Sequence, residues 1–379
     1  MNEAVFPGNV RELTDGHVRL RAHRASDVER IVAQSEDPES RYWTTVPRPY
    51  DEANAREWLA AIEASWNDPG GIRHWALAPA DDPDRYLGTV DLRPQSSRDV
   101  AKIGFGLHPE ARGQGYMAAA VRLACQWWFD GGGTRVHWEA LRGNFASWRV
   151  VWACGFAHHG TLPGAHVDMD GGPAVDIWQA SLAADDVMEA RTPWLDPPVL
   201  RTDEAGGLVL RPWRDTDVEG LGARDQPAHH MPARGVLDVD TFPEWLMTRR
   251  EKMATGTTLS WCVADAAEDR ALGEALLFVH EGTLDDDTAE VGYQVLPAAR
   301  RRGVATAATR LAVEHAFTPR SADGLGLRRL VAQTAEDNTG SNRVLESLGF
   351  EVWGRESAAD LLPDGRTVEA VHWERLRDA

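Results

Sequence analysis

The chain has 379 residues, enough at roughly 100 to 200 residues per domain for two domains, each with its own core. Hydrophobic residues make up 43% and charged residues 26%, which excludes extended disorder, collagen-like order and a disulfide scaffold. Acidic residues outnumber Lys plus Arg by 59 to 40, and a net charge of −19 repels phosphate backbones and anionic lipid, so neither nucleic acid nor membrane is an expected partner.

The acidity is evenly shared, with −9 in residues 1–190 and −10 in the remainder. Only Lys102 and Lys252 are lysines. Nearly all positive charge is therefore arginine, which suits bidentate contacts to phosphate or carboxylate, although a GC-rich genome gives the same bias. Cys125, Cys154 and Cys262 are too few and scattered for a disulfide framework or a cysteine-rich zinc site, which implies a reducing compartment. The opening MNEAVFPGNVREL has no signal-peptide pattern, and no apolar run approaches about 18 residues, so a cytoplasmic protein is expected. The sixteen tryptophans are expected in aromatic cores and partly buried clefts.

In chain order, an alternating strand at VRLRAHR (18–24) comes first, and Ser26 with Asp27 offers an N-cap to a helix. A second helix is expected at 51–66, followed by strands near 73–79, 86–92 and 101–107. The third strand ends at His108-Pro109 and leads through an Arg/Gly segment into an Ala-rich helix at 115–129. A further strand, a short helix ending at Gly155 and two closing strands complete a mixed α/β unit of α+β type.

The same order then returns. VRLRAHRASDVE at 18 matches LVLRPWRDTDVE at 208, placing Arg21, Arg24, Asp27 and Glu29 on Arg211, Arg214, Asp217 and Glu219. HWALA at 74 pairs with SWCVA at 260, the Leu-Gly of YLGTV with that of ALGEA, and IGFGLHPEARGQG with VGYQVLPAARRRG. NFASWRVVWACGF at 144 pairs with NTGSNRVLESLGF at 338. Collinear matches at nearly constant spacing mean a tandem duplication. The expected domains are 1–186 and 207–379, joined by a Pro-rich linker at 187–206 containing Pro193, Pro197 and Pro198. In the second half, Thr216 with Asp217 offers the cap, a helix is expected at 240–255, strands near 259–264, 271–279 and 288–295, and the Ala-rich helix at 303–317.

The turn before the Ala-rich helix reads Arg112-Gly113-Gln114-Gly115-Tyr116-Met117 in one half and Arg300-Arg301-Arg302-Gly303-Val304-Ala305 in the other. A strand that turns into a helix exposes backbone N–H groups with the positive end of the helix dipole behind them, and that combination binds phosphates. Gly115 and Gly303 permit close approach, and plain turn chemistry is the alternative reading of either one alone. A Walker loop needs a Gly-Lys pair that is absent, and a dinucleotide fingerprint starting at Gly104 fails at Pro109.

On these motifs each half resembles the GNAT family of N-acetyltransferases, whose central Q/R-x-x-G-x-G/A segment follows a strand and opens a helix. It is most similar to the branch that acetylates N-terminal amines of ribosomal proteins. That branch also carries a later Asn-x-x-Ser segment leading to Gly-Phe, matched by Asn144, Ser147, Gly155 and Phe156 and by Asn338, Ser341, Gly349 and Phe350. Met117 departs from the final Gly/Ala, which Ala305 obeys, so the second half has the cleaner match.

The resemblance implies a splayed mixed sheet flanked by helices and acetyl-CoA as donor substrate, without a metal. Its pyrophosphate is expected on the N–H groups of 112–117 and 300–305, and backbone N–H groups near Phe105 to Leu107 and Tyr293 to Val295 are expected to steady the oxyanion. Ser147 and Ser341 are the expected proton donors to sulfur, with Asn144 and Asn338 as positioning groups, and all four are equally good helix caps. For the general base, Glu139, with Gln333 as its counterpart, and Glu290, opposite Lys102, are the candidates; Glu274 stands where the first half has Thr89. Tyr42, Trp43 and Tyr50 lie in the loop that shapes the acceptor pocket, as wall or core, as do His229 and His230, which lack sequence partners for a metal. The expected function is acetyl transfer to a primary amine of a small molecule or a protein N-terminus. The alternatives are one catalytic half beside a degenerate scaffold, or a non-catalytic acyl-CoA sensor. Monomer and homodimer both remain open.

Overall fold

The computed structural model describes residues 5–6, 10–97, 99–167, 172–221, 229–230, 237–279 and 287–377, and divides into two units, Met1–Arg191 and Thr192–Ala379. In the first unit the chain forms β1 (Val5–Phe6), β2 (Leu13–Thr14), β3 (Val18–Arg21), β4 (His23–Arg24), α1 (Val28–Glu36), α2 (Pro38–Trp43), α3 (Glu52–Asn67), β5 (Arg73–Pro79), β6 (Gly88–Pro94) and β7 (Val100–Leu107). It continues with α4 (Tyr116–Asp130), β8 (Arg135–Leu141), α5 (Phe145–Ala153), β9 (Ala157–His166) and β10 (Val175–Ala183). The second unit forms β11 (Leu200–Thr202), β12 (Leu208–Arg211), α6 (Phe242–Ala254), β13 (Thr258–Asp265), β14 (Ala271–Val279), β15 (Thr288–Val295), α7 (Val304–Phe317), β16 (Arg329–Ala335), α8 (Thr339–Ser347), β17 (Glu351–Leu361) and β18 (Thr367–Leu376).

Each unit holds one eight-stranded mixed sheet. The strand orders are β2-β3-β5-β6-β7-β8-β10-β9 and β11-β12-β13-β14-β15-β16-β18-β17, so the duplication read from the sequence is a duplication of topology. In each sheet one neighbouring pair is parallel, β7 with β8 and β15 with β16, and the connection between its strands is the helix that follows the Arg/Gly turn. Among the described residues no helix is long and apolar enough to cross a membrane.

The expected linker is divided between the units. Met188 carbonyl accepts from Arg122 Nε at 3.1 Å, and Arg191 Nε donates to the Gly155 carbonyl at 2.6 Å, so its first residues belong to the first unit. Leu195 N–H donates to the Met253 carbonyl at 3.0 Å, Trp261 Nε1 donates to the Pro198 carbonyl at 2.9 Å, and β11 extends the second sheet. Pro193 thus lies beside Gly256 and Pro198 beside Trp261, both within the second unit.

The repeated Arg and Asp of the first match are buried ion pairs. The Asp27 carboxylate accepts from Arg21 Nη1 and Nη2 at 2.8 Å each and from Arg24 N–H at 2.8 Å. Asp217 accepts from Arg211 at 2.9 and 2.7 Å and from Arg214 N–H at 2.8 Å. Both aspartates do cap, but as the third residue of a 3-10 turn and not as its N-cap: each carboxylate takes the N–H of Arg24 or Arg214 and also pairs with the guanidinium of the preceding strand, which locks the strand-to-helix corner. Around Asp217 the helical turn is a short 3-10 segment, Asp215–Gly220, and the next α-helix among the described residues is α6. The Leu-Gly match is steric: a Cβ at Gly88 would stand 2.3 Å from the Gly106 carbonyl oxygen, and at Gly273 2.2 Å from that of Gln294.

The tryptophans pack as the composition suggested. Trp75 meets Trp66 and Trp127 edge-on at 5.2 and 5.1 Å, Trp148 and Trp178 lie 4.5 Å apart, and Trp213 meets Trp245 at 5.1 Å. The sheets also exchange a large-small pair. Trp138 faces Ala180 across β8 and β10, whereas Ala332 faces Trp373 across β16 and β18. The three cysteines are buried and free, and burial pushes the Cys154 thiol up to about 12.

Buried histidines distinguish the units. Burial, with repulsion from His74 and Arg21, holds His23 well below the ordinary imidazole range, and burial also lowers His74 and His108. The second unit has Trp213, Ser260 and Leu296 at these places, and only His315 is shifted in this way among its described residues. The unfolded chain takes up protons near pH ~6.5 that the folded first unit excludes, so that unit's stability is full above this pH and falls as pH drops below it. Pulse proteolysis between about pH 7.5 and 5 is expected to show the first unit losing stability faster than the second. Parallel losses would contradict this.

Candidate active site

Both turns have the geometry that exposes backbone donors. Gly115 is the N-cap of α4 with φ of 78°, and Gly303 the N-cap of α7 with φ of 79°, both left-handed. Gly113 is left-handed at 73°, and its counterpart Arg301 takes the same conformation, φ 59°, without being glycine. A Cβ at Gly113 or Gly115 would meet no described atom within 4 Å, and one at Gly303 only Ala205 Cβ at 3.8 Å. The turns are thus exposed, with open space over the first N–H groups of a helix.

Their side chains are used differently. Arg112 binds the N-terminal end of α2, with Nη1 2.7 Å from Glu39 Oε2 and Nη2 3.0 Å from Ser40 Oγ and also on Asp37. This pairing, outweighing burial, holds the Asp37 carboxyl below its usual range. The Arg112 guanidinium is thereby neutralised, and Gln114 Nε2 donates to the Glu110 carbonyl at 2.7 Å. In the second unit Arg300 Nε donates to the Val295 carbonyl at 3.1 Å, while Arg301 has no side-chain hydrogen bond or ion pair among the described residues. Arg302 is exposed and near enough to Asp265 to lower its carboxyl, behind the larger effect of the Glu268 and Ala267 N–H groups. Tyr116 stacks on His17 at 5.0 Å, and Val304 is buried. Met117 is 2% exposed, so its thioether fills the interior and does not crowd the turn; Ala305 is half-buried.

The strand before each turn opens a cleft. β7 pairs with β6 along its length to Leu107, but with β8 only from Val100 to Lys102. β15 likewise keeps β14 to Val295 and pairs with β16 only from Thr288 to Glu290. Phe105 to Leu107 and Tyr293 to Val295 therefore lie on the opened stretch. The Asn-x-x-Ser segment starts the helix after the other cleft strand. Asn144 Oδ1 accepts from Ser147 N–H at 3.0 Å and Asn338 Oδ1 from Ser341 N–H at 3.3 Å, which are N-caps of α5 and α8. Ser147 Oγ accepts from Trp138 Nε1 at 3.1 Å, leaving its proton to donate elsewhere. Tyr293, its phenol pushed up to about 12 by burial, donates to the Ser341 carbonyl at 3.0 Å.

The candidate bases are not free carboxylates. Glu139 is ion-paired with Lys102 and accepts from Gln179 Nε2 at 3.2 Å. Glu290 occupies the place of Lys102 and has partners of its own. Glu274 is structural, 1% exposed: Arg249 donates to its two oxygens at 2.8 and 3.2 Å, Ser260 Oγ at 2.8 Å and Gln294 Nε2 at 2.7 Å. Tyr50 is buried in the cluster around Val28 and Ile31, while Tyr42 is exposed and meets Trp43 edge-on at the end of α2, a short helix where a loop is expected from the sequence.

Two features were missed. The cleft faces of the sheets differ: in the first unit Asp91 pairs with Arg93 at 2.7 Å above Gly104, where a Cβ would stand 2.7 Å from both, and the equivalent second-unit residues are Leu276, Phe278 and Gly292. Aligning the repeats residue by residue would have exposed this change. The second is Asp337, whose two oxygens meet His229 and His230 and supply the partner that these histidines lacked in the sequence. The imidazoles, outweighing burial, lower its carboxyl.

Comparison with known proteins identifies the family. The family model described as Acetyltransferase (GNAT) domain matches twice, at residues 17–157 and 207–351, and the chain belongs to that family through both units. It is similar to Probable N-acetyltransferase YjcK of Bacillus subtilis (strain 168), 28% identical over 39% of this chain and 82% of that one. It is also similar to Uncharacterized N-acetyltransferase YoaA of the same organism, 25% identical over 41% and 85%. Among solved structures, ribosomal-protein-S5-alanine acetyltransferase from Vibrio fischeri aligns at 17% identity over 46% of this chain and 98% of that one, with a TM-score of 0.41.

Proposed function

We propose that the protein is a tandem acyltransferase that moves the acetyl group of acetyl-CoA to a primary amine, of a small molecule or a protein N-terminus, with a donor site in each unit. The observation that carries this reading is the left-handed glycine at the head of the helix after the opened strand, present twice with open space above it. The N–H groups of 112–117 and 300–305 would hold the pyrophosphate, aided in the second unit by Arg301. N–H groups on the opened stretches of β7 and β15 would face the carbonyl oxygen as it becomes an oxyanion. The amine nitrogen bonds to the acetyl carbon, the carbon–sulfur bond breaks, and Ser147 or Ser341 gives the thiolate its proton. Asn144 and Asn338 hold those serines in place. The ammonium proton leaves to a carboxylate, Glu139 or Glu290, or through water.

The naming of a relative as a probable N-acetyltransferase supports an amine acceptor, and the acidic surface favours cationic ones at encounter. The contrast between Asp91 with Arg93 and Leu276 with Phe278 supports different acceptors for the two units. The test is release of CoA thiol from acetyl-CoA across an amine panel. Amine-dependent release is expected, with Ser147→Ala and Ser341→Ala each lowering turnover about 100-fold on its own unit's acceptors. Binding of CoA with no release under any amine would leave the sensor reading, and unchanged turnover in both variants would remove the serines' role.

A further inference from the structure

In the second unit two consecutive imidazoles converge on one carboxylate. His229 Nε2 lies 2.9 Å from Asp337 Oδ2, and His230 Nε2 lies 2.9 Å from Oδ1. The rings are 4.3 Å apart at 63°, and the three potential ligand atoms all fall within 4.8 Å of one another. The histidine side chains are 16% and 20% exposed against 48% for Asp337, so the cluster is walled on its imidazole side and open on its carboxylate side.

Two imidazole nitrogens and a carboxylate oxygen are a donor set for first-row divalent ions, and three protein ligands leave a tetrahedral ion one open position. Neighbouring side chains of a chain usually diverge; here both present the same ring nitrogen to the same group. Arg366, the cation whose charge couples to Asp337, is itself taken up by Asp364 at 2.8 Å. The first unit has Gly143 at the position of Asp337, and Tyr42 and Trp43, at the end of α2, in the corresponding segment, so these positions offer no such set.

We propose that His229 Nε2, His230 Nε2 and an Asp337 oxygen bind a single first-row divalent cation, Zn2+ or a near neighbour, in the second unit alone. Binding replaces the two Nε2–H···O hydrogen bonds: each nitrogen gives its lone pair to the ion, and the imidazole proton resides on Nδ1. Asp337 directly precedes Asn338, the N-cap of α8, so the ion ties residues 229–230 to the start of the helix that carries Ser341.

The experiment uses the full-length chain, tag removed and stripped of metal, titrated with Zn2+ by calorimetry and with Co2+ by visible absorption. One equivalent per chain with a four-coordinate Co2+ spectrum is expected, and His230→Gln and Asp337→Asn should each weaken it roughly tenfold or more. His159→Gln, in the first unit, should leave it unchanged. Absence of binding in the unaltered chain, or binding that survives both second-unit substitutions in variants shown by circular dichroism to be folded, would overturn the proposal and leave a hydrogen-bonded His–Asp cluster only.

Discussion

Replacing Gly303 by valine is expected to weaken acetyl-CoA binding to the second unit by tenfold or more, about 1.4 kcal/mol, while leaving the first unit's site intact. Two effects act together. The left-handed φ of 79° disfavours a β-branched residue, and the added side chain would occupy the space over the N–H groups of Val304 and Ala305. Gly115→Val does the same to the first unit, where nothing lies within 4 Å of the new Cβ, so any loss there reflects the ligand and the backbone, with no clash against the protein. Competition with CoA, read by calorimetry on each variant, separates the sites. Unaltered affinity in both would remove the turns from the donor sites.

Arg249→Met is expected to destabilise the second unit by about 3–5 kcal/mol, because it leaves Glu274 buried without its cation. Ser260 and Gln294 still donate to that carboxylate, but neither carries charge. Adding Glu274→Gln removes the stranded charge and should recover a large part of the loss. Denaturant unfolding followed by proteolysis of each unit reads the effect. A loss below about 1 kcal/mol would place this pair with exposed ion pairs.

The repeat made much of this architecture legible. The strand and helix periods, the two Arg–Asp pairs, the Leu-Gly approach and the Asn–Ser caps all recur at nearly constant spacing, because each is a local device that every copy of the fold needs. What escaped the sequence lies between distant segments. Arg112 meets Asp37 and Glu39 from another element, Glu139 meets Lys102 across a parallel strand pair, and Asp337 meets histidines more than a hundred positions earlier. Spacing along the chain carries no information about such pairs. Asp27 and Asp217 cap the turn from its third residue, and the sequence does not show that each carboxylate also holds the buried guanidinium of the preceding strand. The contrast between the cleft faces was present in the aligned repeats, and the sheet register places Asp91 and Leu276 at equivalent positions.

The account rests on each unit being a complete donor site. Titration of the full-length chain with acetyl-CoA counts those sites directly. Two equivalents per chain are predicted, one lost on Gly115→Val and the other on Gly303→Val; a single equivalent, or none, would contradict the account.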